Sequence, residues 1–62
     1  MATRKWEVVF YVENDDRADE FYTTIHADNE VDAYREAFKL EDKKNASSSI
    51  DFYRVIEVRP AA

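Results

Sequence analysis

The chain of 62 residues has no cysteine, no glycine, one proline and one histidine. Without cysteine there is no disulfide framework, no thiolate metal site and no thiol nucleophile. Without glycine there is no phosphate-cradling glycine loop, and a low-complexity chain is excluded too. A lone His26 falls short of the imidazole and thiolate ligands a zinc site needs. Long apolar runs are also missing: nothing approaches the roughly 18 apolar residues of a membrane span, and the opening Met-Ala-Thr-Arg-Lys-Trp lacks the apolar stretch of a signal peptide. A soluble protein working in the cytoplasm where it is made is expected. Basic residues are short as well, nine against fourteen acidic ones, for a net charge of −5. Nucleic-acid phosphates and membrane headgroups repel such a chain, so neither is an expected direct partner, and basic protein surfaces are.

Aromatic residues, by contrast, make up 15% of the chain. A chain this short buries only about 60% of the surface that its unfolded state exposes. One domain over residues 1–62 is expected, with an ordered core of about 5–60. It must stand on its apolar core alone, with no room for a deep substrate cavity. No cofactor is expected.

Trp6 to Glu13 alternates as a strand, and both faces carry apolar residues, which marks it as central. Asn14 to Asp19 reads as a hairpin loop, with Asn and Asp standing where glycine would supply a positive φ. Glu20 to Ala27 is the second strand. Asn29 is the expected helix N-cap, with Asp28 competing and Asp32 three residues on. Ala33, Tyr34, Ala37, Phe38 and Leu40 form the expected apolar stripe. Asn45 can take the left-handed stop conformation, Ala46 to Ser49 is a polar connector, and Asp51 to Arg59 is the third strand. Pro60-Ala61-Ala62 is expected to end the pairing and to fray. The fold class is α+β: a three-stranded antiparallel sheet in β-β-α-β order, arranged 2-1-3, covered on one face by a single helix. The other face is expected to be wet or an interface.

Catalysis has little to build on. Ser47, Ser48 and Ser49 have no base nearby in sequence and read as a connector, and His26 reads as an ordinary strand residue. The acidic loop says more. Glu13, Asp15, Asp16, Asp19 and Glu20 against Arg17 leave −4 on eight residues. That is either solvated hairpin charge that deters edge pairing or an attractor for a basic groove built for nucleic acid. Tyr11, Tyr22 and Tyr53 are expected to share the uncovered face with His26. Sheet aromatics can stack bases, but the charge favours a protein interface. Arg54 and Arg59 are candidate anchors for a partner's carboxylates. Unbroken alternation sends them to opposite faces.

The chain also resembles a known family, the gene-two early proteins of T-odd coliphages, which shut down host bacterial RNA polymerase. Lys5-Trp6 opens the first strand as the family's basic-aromatic start does, and Phe21-x-x-x-Ile25-x-Ala27 matches its second strand. Asn29 to Ala33, with Ala37 beyond, matches its T-x-x-E-A helix onset, and Val58-Arg59-Pro60 matches its terminal V-R-P, with Val55 in place. The resemblance spans roughly Lys5 to Pro60. It implies a three-stranded sheet with one helix and no enzymatic activity. It also implies binding in the host cytoplasm to the jaw of the polymerase β′ subunit at the downstream DNA channel, with contact to the N-terminal domain of the σ factor and failure of promoter opening. Two arginines of the family's last strand meet acidic jaw residues. Arg59 occupies one of these positions, whereas Glu57 occupies the other and reverses its charge. The family's acidic strip has counterparts in Glu13, Asp28 and Asp32. The helix-to-strand connector is longer here. Two other readings stay open: an acidic inhibitor of another nucleic-acid machine such as a defence nuclease, working through Asp15, Asp16 and Asp19, and a single-strand nucleic-acid binder using the three tyrosines.

Overall fold

A computed structural model describes residues 3–61. Three strands and one helix follow in the order β1 (Arg4–Glu13), β2 (Ala18–Ala27), α1 (Glu30–Ser47) and β3 (Phe52–Pro60). The strands form one antiparallel sheet in the order β2-β1-β3. β1 is central because it can be buried on both sides: Val8 and Phe10 are fully buried under the helix, and Val9 on the opposite face is only 4% exposed. The molecule is an elongated plate of 43 × 21 × 13 Å.

The hairpin is tighter than the sequence suggests. β2 begins at Ala18, so the loop is Asn14–Arg17 alone. No non-glycine residue among those described has a positive φ. The reversal is closed instead by Asn14. Its Oδ1 accepts the amides of Asp16 and Arg17 at 2.9 and 3.0 Å, while its own amide donates to the Arg17 carbonyl at 2.9 Å. A short amide side chain folding over its own backbone does the work expected of a left-handed residue.

The helix starts as expected. Asn29 is extended, at φ −154° and ψ 174°, and its Oδ1 accepts the Asp32 amide at 2.9 Å. The helix end departs from expectation. Asn45 does not stop it; α1 runs on to Ser47, and the connector shrinks to residues 48–51. Asn45 instead bonds the Tyr53 backbone on the edge of β3. Only part of the expected stripe meets the sheet: Ala33 and Ala37 are fully buried and Leu40 packs against the core, whereas Tyr34 and Phe38 stay exposed at 37% and 50%. At 100° per residue, Ala33, Ala37, Leu40 and Lys44 share one line, while Tyr34 and Phe38 are rotated to its flank with Glu41 and Asn45. Two alanines at the contact let the helix lie close. The core they cover comprises Trp6, Val8, Phe10, Ala27 and Val58, with Val12, Ile25, Tyr53 and Val55 around it. Lys44 closes its hairpin end, with Nζ 4.6 Å from the Phe21 ring centroid and 5.4 Å from that of Tyr53.

β3 carries the main departure from simple alternation. Val9 faces Glu57 but Phe10 faces Val55, so Ile56 is an extra residue in the strand. This β-bulge reverses the side-chain parity along β3. Val58 is in the core, and Val55 and Tyr53 pack against it from the same face. Pro60 does not end the pairing. It stands opposite Trp6, and the Ala61 amide beyond it donates to the Lys5 carbonyl at 3.0 Å. Position 60 faces outward from the ladder, so its missing N–H costs no bond.

Candidate functional site

The bulge decides which charged residues meet. With the parity reversed, Arg54 and Arg59 lie on the same face, the one opposite the helix, and not on opposite faces as unbroken alternation requires. In register, Arg54 faces Tyr11 and Arg59 faces Glu7. Tyr53 goes the other way. It packs under the helix with its ring edge-on to Phe10, centroids 6.3 Å apart. The three tyrosines therefore do not share a face: Tyr11 and Tyr22 stay on the open side with His26, and Tyr53 leaves them.

Arg59 is not an unengaged anchor. Its Nε donates to Glu7 Oε1 at 2.8 Å, its Nη2 pairs with the same oxygen, and its Nη1 donates to Glu57 Oε2 at 3.0 Å. These bonds to Glu7 and then to Glu57 raise the guanidinium's pKa above its already high ordinary value. Glu57, the position where the resemblance has an arginine, thus holds Arg59 from within the chain. The trio sums to −1. Arg54 takes part in no ion pair among the described residues. Nearby on the same face, the Tyr22 hydroxyl donates to Glu20 Oε1 at 2.6 Å. That bond and the carboxylate's charge raise the phenol's pKa above 10.0.

The acidic residues divide between the two ends of the plate. Glu13, Asp15, Asp16, Asp19 and Glu20 gather at the hairpin end. Asn14 Nδ2 donates to Asp51 Oδ1 at 2.9 Å, which ties the connector to this tip and adds a sixth carboxylate. The Asp51 amide is in turn fixed by Ser48 Oγ at 2.9 Å. Arg17 and Asp19 approach to 3.9 Å with both side chains largely exposed, so the pair neutralises little. Asp28 and Asp32 stand at the far end, beside the start of α1. A ten-residue strand separates them from Glu13 by about 30 Å. Glu13, Asp28 and Asp32 therefore do not form one strip. Asp28 and Asp32 instead line a shallow groove of about 350 Å³ with His26, Arg35 and Lys39. Asp32 is 3.5 Å from Arg35, so the groove carries both signs of charge.

Three contributors to these surfaces were not singled out from the sequence. Glu7 meets Arg59 through the register of β1 on β3, which pairs the two residues directly. Asp51 reaches the tip only through the closure of the fold. Asn14 had a local signal, an asparagine immediately before two aspartates at a chain reversal. No group of three or more histidine, cysteine, aspartate or glutamate residues suited to a metal ion occurs among the described residues. No helix there is long and apolar enough to cross a membrane. Compared with known proteins, the chain matches no family model, no curated protein and no solved structure.

Proposed function

We propose that this chain is a stoichiometric inhibitor, not an enzyme, that binds a host bacterial RNA polymerase near the downstream DNA channel and blocks transcription initiation from within the host cytoplasm. The observation that carries the reading is the acidic tip. Six carboxylates crowd one end of a narrow plate, and the Asn14 and Ser48 hydrogen bonds hold their backbone in place. Such a tip suits a channel lined with lysine and arginine for DNA, where like shape and charge compete with the duplex. The sequence resemblance supplies the particular machine, the β′ jaw with the σ N-terminal domain close by.

The jaw contact is reassigned in this proposal. With Arg59 held by Glu7 and Glu57, the arginine available to an acidic partner is Arg54, which the bulge puts on the same face. Phe52 at 55% exposure, Tyr22 at 50% and Ile56 at 50% supply apolar surface there. In vitro transcription with purified host polymerase tests the reading. Promoter-dependent transcripts should fall as the protein is titrated to equivalence with polymerase. Unchanged transcripts at micromolar protein reject it.

A further inference from the structure

The two edges of the sheet are treated differently. On β3, the outer edge at Tyr53 and Val55 is occupied by α1. Asn45 accepts the Tyr53 amide at 2.7 Å and donates to the Tyr53 carbonyl at 3.0 Å, and Glu41 Oε2 accepts the Val55 amide at 2.7 Å. On β2, ten residues long, only the inner edge is paired among the described residues. None of the hydrogen bonds among the described side chains goes to the backbone of residues 18–26.

The outward-pointing groups of β2 follow from the ladder. Tyr53 and Val55 turn their amides away from β1, so their partners Val12 and Phe10 turn theirs away from β3 and toward β2. Their β2 partners are Asp19 and Phe21. The odd-numbered residues of β2 therefore bond inward. Glu20, Tyr22, Thr24 and His26 present amides and carbonyls to solvent, an open template for another strand.

We infer that β2 is the docking edge for a second copy of this chain, paired antiparallel about a two-fold axis at Thr23 to give a six-stranded sheet. This register puts outward groups opposite outward groups. Tyr22 meets the partner's Thr24, and Glu20 meets the partner's His26, each pair occurring twice by symmetry. An acid thus faces the only histidine. On the helix side, Phe21 meets the partner's Ile25, and Phe21 is 40% exposed in the single copy. The neighbouring registers fit less well. Centring on Thr24 sets Glu20 against the partner's Asp28, and centring on Tyr22 sets Asp19 against the partner's Ile25. The bonds from Asn45 and Glu41 draw α1 toward β3, which leaves the β2 side open for the approach. A single strand pair buries less than the ~1,200 Å² of a standard interface, so the association belongs to the weak, micromolar class.

The test is sedimentation equilibrium of the full chain from about 10 µM to about 1 mM, together with amide hydrogen exchange read at Tyr22 and Thr24. A monomer–dimer equilibrium is expected, with exchange at those two amides slowing as concentration rises. Thr24→Pro deletes an outward donor and no inner ladder bond, and should raise the dimer dissociation constant about tenfold. His26→Glu sets like charges opposite each other at two symmetric places and should do the same. Within one copy that glutamate faces Lys5, so the fold accepts it. Glu20→Lys combined with His26→Glu removes that like-charge clash, setting opposite charges at the same two places, and should recover association. A monomer at every concentration overturns the inference. So does a dimer that ignores both single substitutions, which would place the contact on another surface, such as the Tyr34–Phe38 flank of the helix. Far-UV circular dichroism of each variant separates lost pairing from lost folding. Transcription inhibition is a separate measurement that this outcome does not decide.

Discussion

Asn45 brackets the backbone of Tyr53, donating to its carbonyl at 3.0 Å and accepting from its amide at 2.7 Å. A helix side chain thereby takes the place of a neighbouring strand. The same bonds explain why the helix does not stop at this asparagine. Its side chain is committed to the sheet edge, and its backbone remains helical. Asn45→Ala should destabilise the fold by about 1–3 kcal/mol, two half-buried hydrogen bonds at about 0.5–1.5 each. Asn45→Asp keeps the acceptor but sets a carboxylate oxygen against the Tyr53 carbonyl, so it should cost at least as much as alanine. Urea denaturation of the three proteins checks the order. Equal midpoints for wild type and Asn45→Ala would show that water replaces the side chain without loss.

Trp6 makes the corresponding tie at the opposite end of the core. Its indole Nε1 donates to the Ala27 carbonyl at 3.1 Å, within a side chain only 3% exposed. Trp6→Phe keeps much of the apolar volume and leaves that buried carbonyl without the indole donor. A loss of about 1–3 kcal/mol is expected, dominated by the unsatisfied acceptor and the space left by the smaller ring. Denaturant midpoints with an unchanged slope would place the effect in the folded state.

How much of this was legible in the sequence depends on whether a contact is local. The Asn29 cap, the central position of β1 and the strand order 2-1-3 all follow from residues close in sequence or from the two-sided burial of one strand. The bulge at Ile56 does not. The segment Tyr53 to Val58 reads equally well with strict alternation, and only the fit of both Val55 and Val58 into one core forces the extra residue out. The misplaced faces on β3 descend from that one residue: Tyr53 on the wrong face, and Arg54 apart from Arg59. The Arg59 pairing with Glu7 was hidden because Glu7 lies 52 positions away in the chain.

The Tyr22 phenol gives a pH signature. Its pKa is raised from 10.0 chiefly by the bond to Glu20 and next by that carboxylate's charge. A folded-state pKa above the unfolded one favours the protonated phenol. The contribution to stability is therefore complete below pH 10 and disappears as pH climbs through the raised value. The ring is half exposed, so the effect on stability is small. The titration midpoint is the better observable. Phenolate absorbance, with Tyr22→Phe used to isolate this residue among four tyrosines, should give a midpoint above 10. Glu20→Gln should lower it. A midpoint unmoved by that change would mean that the hydrogen bond does not persist in solution.

In the proposed binding to polymerase, the acidic tip and the arginine face make separable demands. Asp15, Asp16 and Asp19 lie on an exposed loop and strand end, and Arg17 approaches Asp19. Replacing all three with asparagine should leave unfolding unchanged within about 0.5 kcal/mol. The same change should slow association and flatten its salt dependence, because exposed charges act mainly on the encounter rate. Arg54→Glu should instead speed dissociation, because its proposed partner is an acidic surface in close contact. Glu57→Gln provides the third comparison. It releases one of the two carboxylates holding Arg59 and should strengthen binding by making that guanidinium available. Surface plasmon resonance against immobilised polymerase at two salt concentrations separates these effects. If Glu57→Gln weakens binding while Arg54→Glu leaves it intact, then Glu57 itself meets a basic group on the partner, and the arginine-to-jaw contact must be abandoned.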